Sequence, residues 1–431
     1  MDPILIGIIG VCLLLFLIFL GVPIAFALST VGALGLFVMA GFSQACVQLS
    51  MLAWDTGTSF VFVCAPLFVL MGQLVHHTGL GSDLYDFSRK WFGRIHGGLA
   101  ITSVIASAGM AAVTGVSIAA IAAIGAMALP EMKKYKYSPR LATGSLCTAG
   151  TLAIMIPPSL SFVVYGILTD TSIGDLFIAG IIPGVLLTIA FSLMIYIRCK
   201  INPELGPPGP NFTWRERLLS FNKLWPAMAL FLTVIGGIYA GFFTPTEAAG
   251  IGVSGVILIG LIKRRITWNI IKLSLHNTAL LAAMVFPIIL GGYFISRFLI
   301  LTGVTEGIVT FIGNLQISKY FIISFLVVLY LILGCILDSF GMLILTIPFV
   351  FPIILRLGFD PIWFGVFVTL MIETGLVTPP VGMCAYVVKD LTPDTRLEDV
   401  FIGAIPFVVV LLGMAGLLIA FPEIALWLLH K

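Results

Sequence analysis

The sequence predicts an all-α polytopic membrane protein made of two inverted repeats, each with five crossings and one re-entrant hairpin. Three observations carry this reading: a composition too apolar for water, prolines that recur at one fixed offset, and a one-sided distribution of basic residues. Of 431 residues, 60% are hydrophobic and 10% charged, where a soluble domain carries about 25% charged residues. Such a chain cannot cover itself with polar surface, so its solvent is the lipid bilayer. Net charge is only +3, and no basic tract suits nucleic acid.

A crossing needs about 20 apolar residues. Apolar runs lie at roughly 3–20, 22–40, 56–77, 97–130, 140–169 and 176–197, then at 225–243, 245–262, 274–301, 319–354, 361–388 and 400–429. The first run lacks a basic flank and reads as a span, not a cleaved signal. Residues 202–210, rich in Pro and Gly, read as a linker between the two sets. An offset of 222 carries Pro23, Pro130, Pro139, Pro157 and Pro158 onto Pro245, Pro352, Pro361, Pro379 and Pro380, and Ser117 onto Ser339. Five proline pairs at one offset, ten of the 23 prolines, define a repeat, 1–210 and 211–431, and such repeats are a signature of secondary transporters.

Runs 97–130 and 319–354 are too long for one span and too short for two. Each has a polar centre, Thr114-Gly115-Val116-Ser117 and Asp338-Ser339-Phe340-Gly341, so each reads as a hairpin. Runs 140–169 and 361–388 carry Pro-Pro pairs, which remove an amide donor and break the helix. Five crossings per half invert the second half. That count collects eighteen of 22 basic residues on one side, from Arg89 and Lys90 through Lys263 and Arg265 to Arg396. Only Lys319, Arg356 and Lys431 fall on the other, and Arg297 lies in a span. The bias marks the eighteen-charge side as cytoplasm and places both termini outside. Residues 82–96 and the capping box Thr213-Trp214-Arg215-Glu216 read as interfacial connectors.

The seven cysteines are scattered with no CxxC pair, which suits small apolar residues better than a metal or redox centre. GxxxxGK[ST], HExxH and GxSxG are all missing from the sequence, so nothing points to an enzyme. Polar groups at membrane depth are the functional candidates. Asp338 is an N-cap, an ion ligand or both. Glu373 is either an ion ligand or a carboxylate bonded to a neighbouring half-helix N-terminus. Thr244-Pro245-Thr246-Glu247 reads as a capping box. Arg297 snorkels outward, pairs with the scaffold or with Asp338 or Glu373, or meets an anionic substrate, the first two being favoured, and the histidines read as interface residues. Broken helices free carbonyls for a bare cation and N–H groups for an anion. The Na⁺ candidates are therefore Thr114, Gly115 and Ser117 against Gly150, Thr151 and Pro157, and Asp338, Ser339 and Gly341 against Glu373, Gly375, Thr378 and Pro379. Ser159, Ser161, Val381, Gly382 and Met383 flank the breaks and are the substrate candidates.

Phe243-Thr244-Pro245-Thr246-Glu247-Ala248-Ala249, Gly375-Leu376-Val377-Thr378-Pro379-Pro380-Val381-Gly382, Ile156-Pro157-Pro158-Ser159, Leu129-Pro130-Glu131-Met132 and Gly180-Ile181-Ile182-Pro183-Gly184 span most of the chain. Through them the sequence resembles the large membrane subunit of tripartite ATP-independent periplasmic (TRAP) transporters, of dicarboxylate or sialic-acid type. The resemblance implies an elevator-type ion-transporter fold. The hairpins and broken helices would move, and 1–77 with 225–301 would form most of the scaffold. It further implies Na⁺-coupled import of an organic carboxylate across the bacterial inner membrane. The implied partners are a small four-span membrane subunit and a soluble periplasmic binding protein. Two departures stand out: Met383-Cys384 follows the second Pro-Pro-Val-Gly where Asn is common, and the first tip reads Thr-Gly-Val-Ser where Ser-Gly-Ser-Ser is commoner. A stand-alone divalent-anion symporter would need no partners. A channel or scaffold subunit would show a continuous polar stripe, where this sequence has isolated tips.

Overall fold

The computed structural model describes residues 2–115, 117–314 and 317–429. Val116 of the first tip, His430 and Lys431 lie outside the described residues. The first half runs through α1 (Pro3–Phe19), α2 (Ile24–Ala40), α3 (Phe42–Thr58), α4 (Cys64–His77), α5 (Leu80–Phe92), α6 (Gly98–Thr114), α7 (Ser117–Lys134), α8 (Pro139–Ala149), α9 (Leu152–Met155), α10 (Leu160–Thr169) and α11 (Ile173–Ile201). The second runs through α12 (Trp214–Leu219), α13 (Phe221–Tyr239), α14 (Pro245–Ile262), α15 (Trp268–Thr302), α16 (Val304–Asn314), α17 (Lys319–Gly334), α18 (Ser339–Arg356), α19 (Pro361–Val377), α20 (Met383–Leu391), α21 (Leu397–Ala420) and α22 (Glu423–Leu426). The described residues are all helix, turn and coil. Seven helices are individually long and apolar enough to cross a membrane, and eight if α8–α10, bent by 43°, is one broken span. Helices α1, α2, α6, α17 and α19 are apolar and shorter.

Local chemistry sets the helix ends. Thr244 Oγ1 accepts from Glu247 N at 3.4 Å while Glu247 Oε2 accepts from Thr244 N at 2.8 Å, and Pro245 occupies N1. The same reciprocal pair at Thr213 and Glu216 opens α12. Both capping boxes satisfy amide donors that a helix start leaves unpaired. Asp338 caps α18 by accepting from Phe340 N and Gly341 N, each at 3.3 Å.

The offset of 222 carries α7 onto α18, and 139–155 (α8 and α9 with their junction) onto α19, with both ends matching. The halves differ where the sequence reading had a gap. Residues 42–58 form α3, most of which falls between the apolar runs 22–40 and 56–77 because its Gln, Ser and Asp residues dilute the apolar pattern. Its counterpart in the second half is the first part of the continuous 35-residue α15.

Two groups of helices result. α2 and α15 lie together along their length, joined by α1, α4, α13 and α14. The other group packs α6 to α11 with α17 to α21, most extensively α8 on α21 and α17 on α19. The α8–α21 crossing is close because both helices place glycine there: a Cβ at Gly144 would overlap the Gly403 backbone, and one at Gly403 the Arg140 carbonyl. Helix α5 touches both groups. Asp83 pairs with Lys263 and Arg265 beyond α14, Asp86 with Lys223 of α13, and Arg89 with Glu131 of α7.

Candidate functional site

The first hairpin turns at Gly115, whose φ of +65° places it in the left-handed region that glycine adopts without a Cβ penalty. A Cβ there would also strike the Pro158 carbonyl, so the tip lies directly on the first Pro-Pro break. The Gly115 carbonyl accepts from Leu160 N at 3.4 Å. Ser117 opens α7 against Gly150, which itself sits against the Ile121 side chain. Thr114 and Thr151 spend their hydroxyls on the Met110 and Thr148 carbonyls, at 2.9 and 2.7 Å. Pro157 lies in the break between α9 and α10, and Ser159 caps α10. Every residue from Thr151 to Ile167 is buried. Ser161 Oγ is buried without a hydrogen-bond partner among the described residues.

The second break is built alike and exposed differently. Gly375 packs on Gly334 near the end of α17, and Cys335 Sγ donates to the Pro379 carbonyl at 3.5 Å. Thr378 ends α19 with its hydroxyl on the Thr374 carbonyl. Gly382 opens α20 at φ +51°. Pro379, Pro380, Val381 and Met383 are exposed. Gly341, beyond the tip, packs on Ile24 of α2, so the second tip touches the other group of helices. Both Pro-Pro bonds are cis.

Glu373 departs from the expected grouping. Its position in the sequence groups it with Asp338 and Ser339 of its own half, but Ser117 Oγ of the first hairpin donates to Glu373 Oε2 at 2.8 Å. That bond puts the carboxyl group beside the first residue of α7. Ser117 and Glu373 are 256 positions apart, a contact that sequence proximity does not reveal. Glu373 is 0% exposed and its Oε1 has no hydrogen-bond partner among the described residues. Asp338 makes its two capping bonds and no ion pair, again among the described residues. Arg297 pairs with neither acid; its Nε donates to Gln48 of α3 at 3.1 Å, the scaffold option. Sequence reasoning missed Thr369, buried one turn before Glu373 with an unpartnered hydroxyl. The i, i+4 spacing on one helix face was the available signal.

Two hairpins, each laid against a helix interrupted at Pro-Pro, form a pattern repeated once along the chain. Residues 11–424 match the DctM component of the tripartite ATP-independent periplasmic transporters. The chain belongs to this family. It is 33% identical over 399 residues to the C4-dicarboxylate TRAP transporter large permease protein DctM of Pseudomonas aeruginosa, covering 92% of this chain and 93% of that one. It is 29% identical over 420 residues to the sialic acid TRAP transporter large permease protein SiaM of Vibrio cholerae, covering 96% of each. Among solved structures, the Alcanivorax borkumensis YdaH transporter superposes with a TM-score of 0.64 over 99% of this chain and 100% of its own, at 15% identity. That likeness concerns the fold. As a DctM-family member, the chain is a multi-pass membrane protein whose relatives are named as permeases.

Proposed function

We propose that this chain is the large membrane subunit of a bacterial inner-membrane TRAP importer that moves an organic carboxylate with Na⁺ by an elevator motion. The observation that carries the reading is the paired arrangement of hairpin tip on broken helix, Gly115 and Ser117 on Pro158 and Gly150, and Gly334 and Cys335 on Gly375 and Pro379. Such breaks supply carbonyl oxygens for Na⁺ and amide donors for a carboxylate. Ser159, Ser161, Val381, Gly382 and Met383 border them and would contact the substrate. The group of α6 to α11 with α17 to α21 would move against α1, α2, α4 and α13 to α15. In this reading each half crosses five times, the second inverted, and both termini are periplasmic. The family's tripartite description supports two partners, a small four-span membrane subunit and a soluble periplasmic binding protein. Dicarboxylates and sialic acids are the substrate candidates, following the relatives.

Proteoliposomes test this. The chain with its small subunit and the substrate-loaded binding protein should accumulate substrate under an inward Na⁺ gradient. The chain alone should accumulate little. Full uptake by the chain alone would replace this reading with a stand-alone symporter, and uptake unaffected by removing Na⁺ would remove sodium from it.

A further inference from the structure

Glu373 of α19 sits in the α6–α11 and α17–α21 group with no counter-charge among the described residues. Its side chain is fully buried, one oxygen takes a single neutral hydrogen bond from Ser117, and the other takes none from the described residues. None of the ion pairs among the described residues includes it, and the ionisable side chains beside it are thiols, Cys384 of α20 and, next to that, Cys147 of α8. A carboxyl in a dry interior stays ionised only with a cation or a full set of donors and otherwise takes up a proton, and the fold supplies one donor. The oxygen bonded to it belongs to the first hairpin site: Ser117 Oγ, on the residue whose carbonyl lies beside Gly150. The repeat offset maps Glu373 onto Thr151, whose hydroxyl is taken by the Thr148 carbonyl. The halves therefore do not contribute equally at this position: the second half lends an acid to the first half's hairpin, and Thr151 has none to lend in return.

We propose that Glu373 is a direct Na⁺ ligand of the first hairpin site, so that this site is a composite of both halves, with Ser117 from one and the free carboxylate oxygen from the other. This deepens the sodium reading above and rests on it. It also gives the ion a mechanical role, because a cation held between α7 and α19 ties the first hairpin to the second half's broken helix.

The test is equilibrium binding, independent of transport. Radioactive sodium binding and the Na⁺-dependent rise in melting temperature would be measured on the purified complex in detergent. Glu373→Gln keeps the shape and the Ser117 bond while removing the charge, and should raise the Na⁺ midpoint roughly ten-fold, the size of one charge-assisted contact. Glu373→Asp should bind Na⁺ more tightly than Glu373→Gln. Adding Ser117→Ala to Glu373→Gln should change little further, because both act on one site, whereas adding Ser339→Ala should weaken binding again. Wild-type Na⁺ binding in a folded Glu373→Gln protein would overturn the assignment and leave Glu373 as an interhelical lock. A wild-type protein with no Na⁺ response would instead overturn the sodium reading on which the assignment stands.

Discussion

At the scale of single residues, Asp83 shows how charge is placed to hold elements together. It is 4% exposed on α5 and receives Lys263 at 2.8 Å and Arg265 at 2.7 Å from just beyond α14. Burial pushes its carboxyl up, but the hydrogen bonds and charges of Arg265 and Lys263 outweigh that and hold it below the usual carboxylate range. A lowered folded value means that folding favours the ionised form. The stabilisation is fully present above the unfolded carboxylate value, about pH 4, and is lost as pH falls through the folded value. Asp83→Asn should therefore cost about 1–3 kcal/mol at neutral pH, because two cations are left facing each other. Thermal unfolding in detergent checks this: the gap between variant and wild type should narrow below about pH 4. Equal melting temperatures at neutral pH would show that the pair contributes nothing.

At the scale of elements, the α8–α21 crossing brings two helix backbones into direct contact. In lipid, helix association draws on close packing, because the tails are as apolar as the side chains. Gly144 and Gly403 meet backbone to backbone, and no side chain fits between them. Gly403→Val should separate the helices and lower the yield of folded protein and its melting temperature. Gly413→Val lies on the same α21 where a Cβ meets nothing within 4 Å, and should be tolerated. Equal behaviour of the two variants would show that the loss reflects valine in a helix and not the crossing.

At the scale of the whole molecule, the ion pairs of α5, α7, α8, α13, α14 and α21 draw every basic partner from the set assigned to the cytoplasm. Residues far apart in the chain, such as Lys133 with Asp394 and Arg140 with Asp399, meet there. Cysteine reporters in a cysteine-free background test the orientation. A reporter at Asp2 should react with an impermeant reagent in intact cells, and reporters at Lys134 and Arg264 only after permeabilisation. Labelling of Lys134 and Asp2 from the same side would refute the proposed topology.

The sequence by itself determined the all-α class, the repeat offset, the two capping boxes, the Asp338 cap and the places where helices break. These features are local: an apolar run, a Pro-Pro pair or a Thr three residues before a Glu acts on its own few turns. Spans were legible within a few residues wherever the apolar run was unbroken, as at 245–262, and failed at α3, where polar residues sit on an apolar helix. What tertiary structure alone decided is which break faces which tip and how open each lies. The first Pro-Pro is sealed and the second exposed, although the motifs are nearly the same. Glu373 bonds Ser117 of the other half for the same reason: the partner of a buried carboxylate is set by which helices pack together, and that depends on the sum of many weak contacts between segments distant in sequence, which no local pattern records.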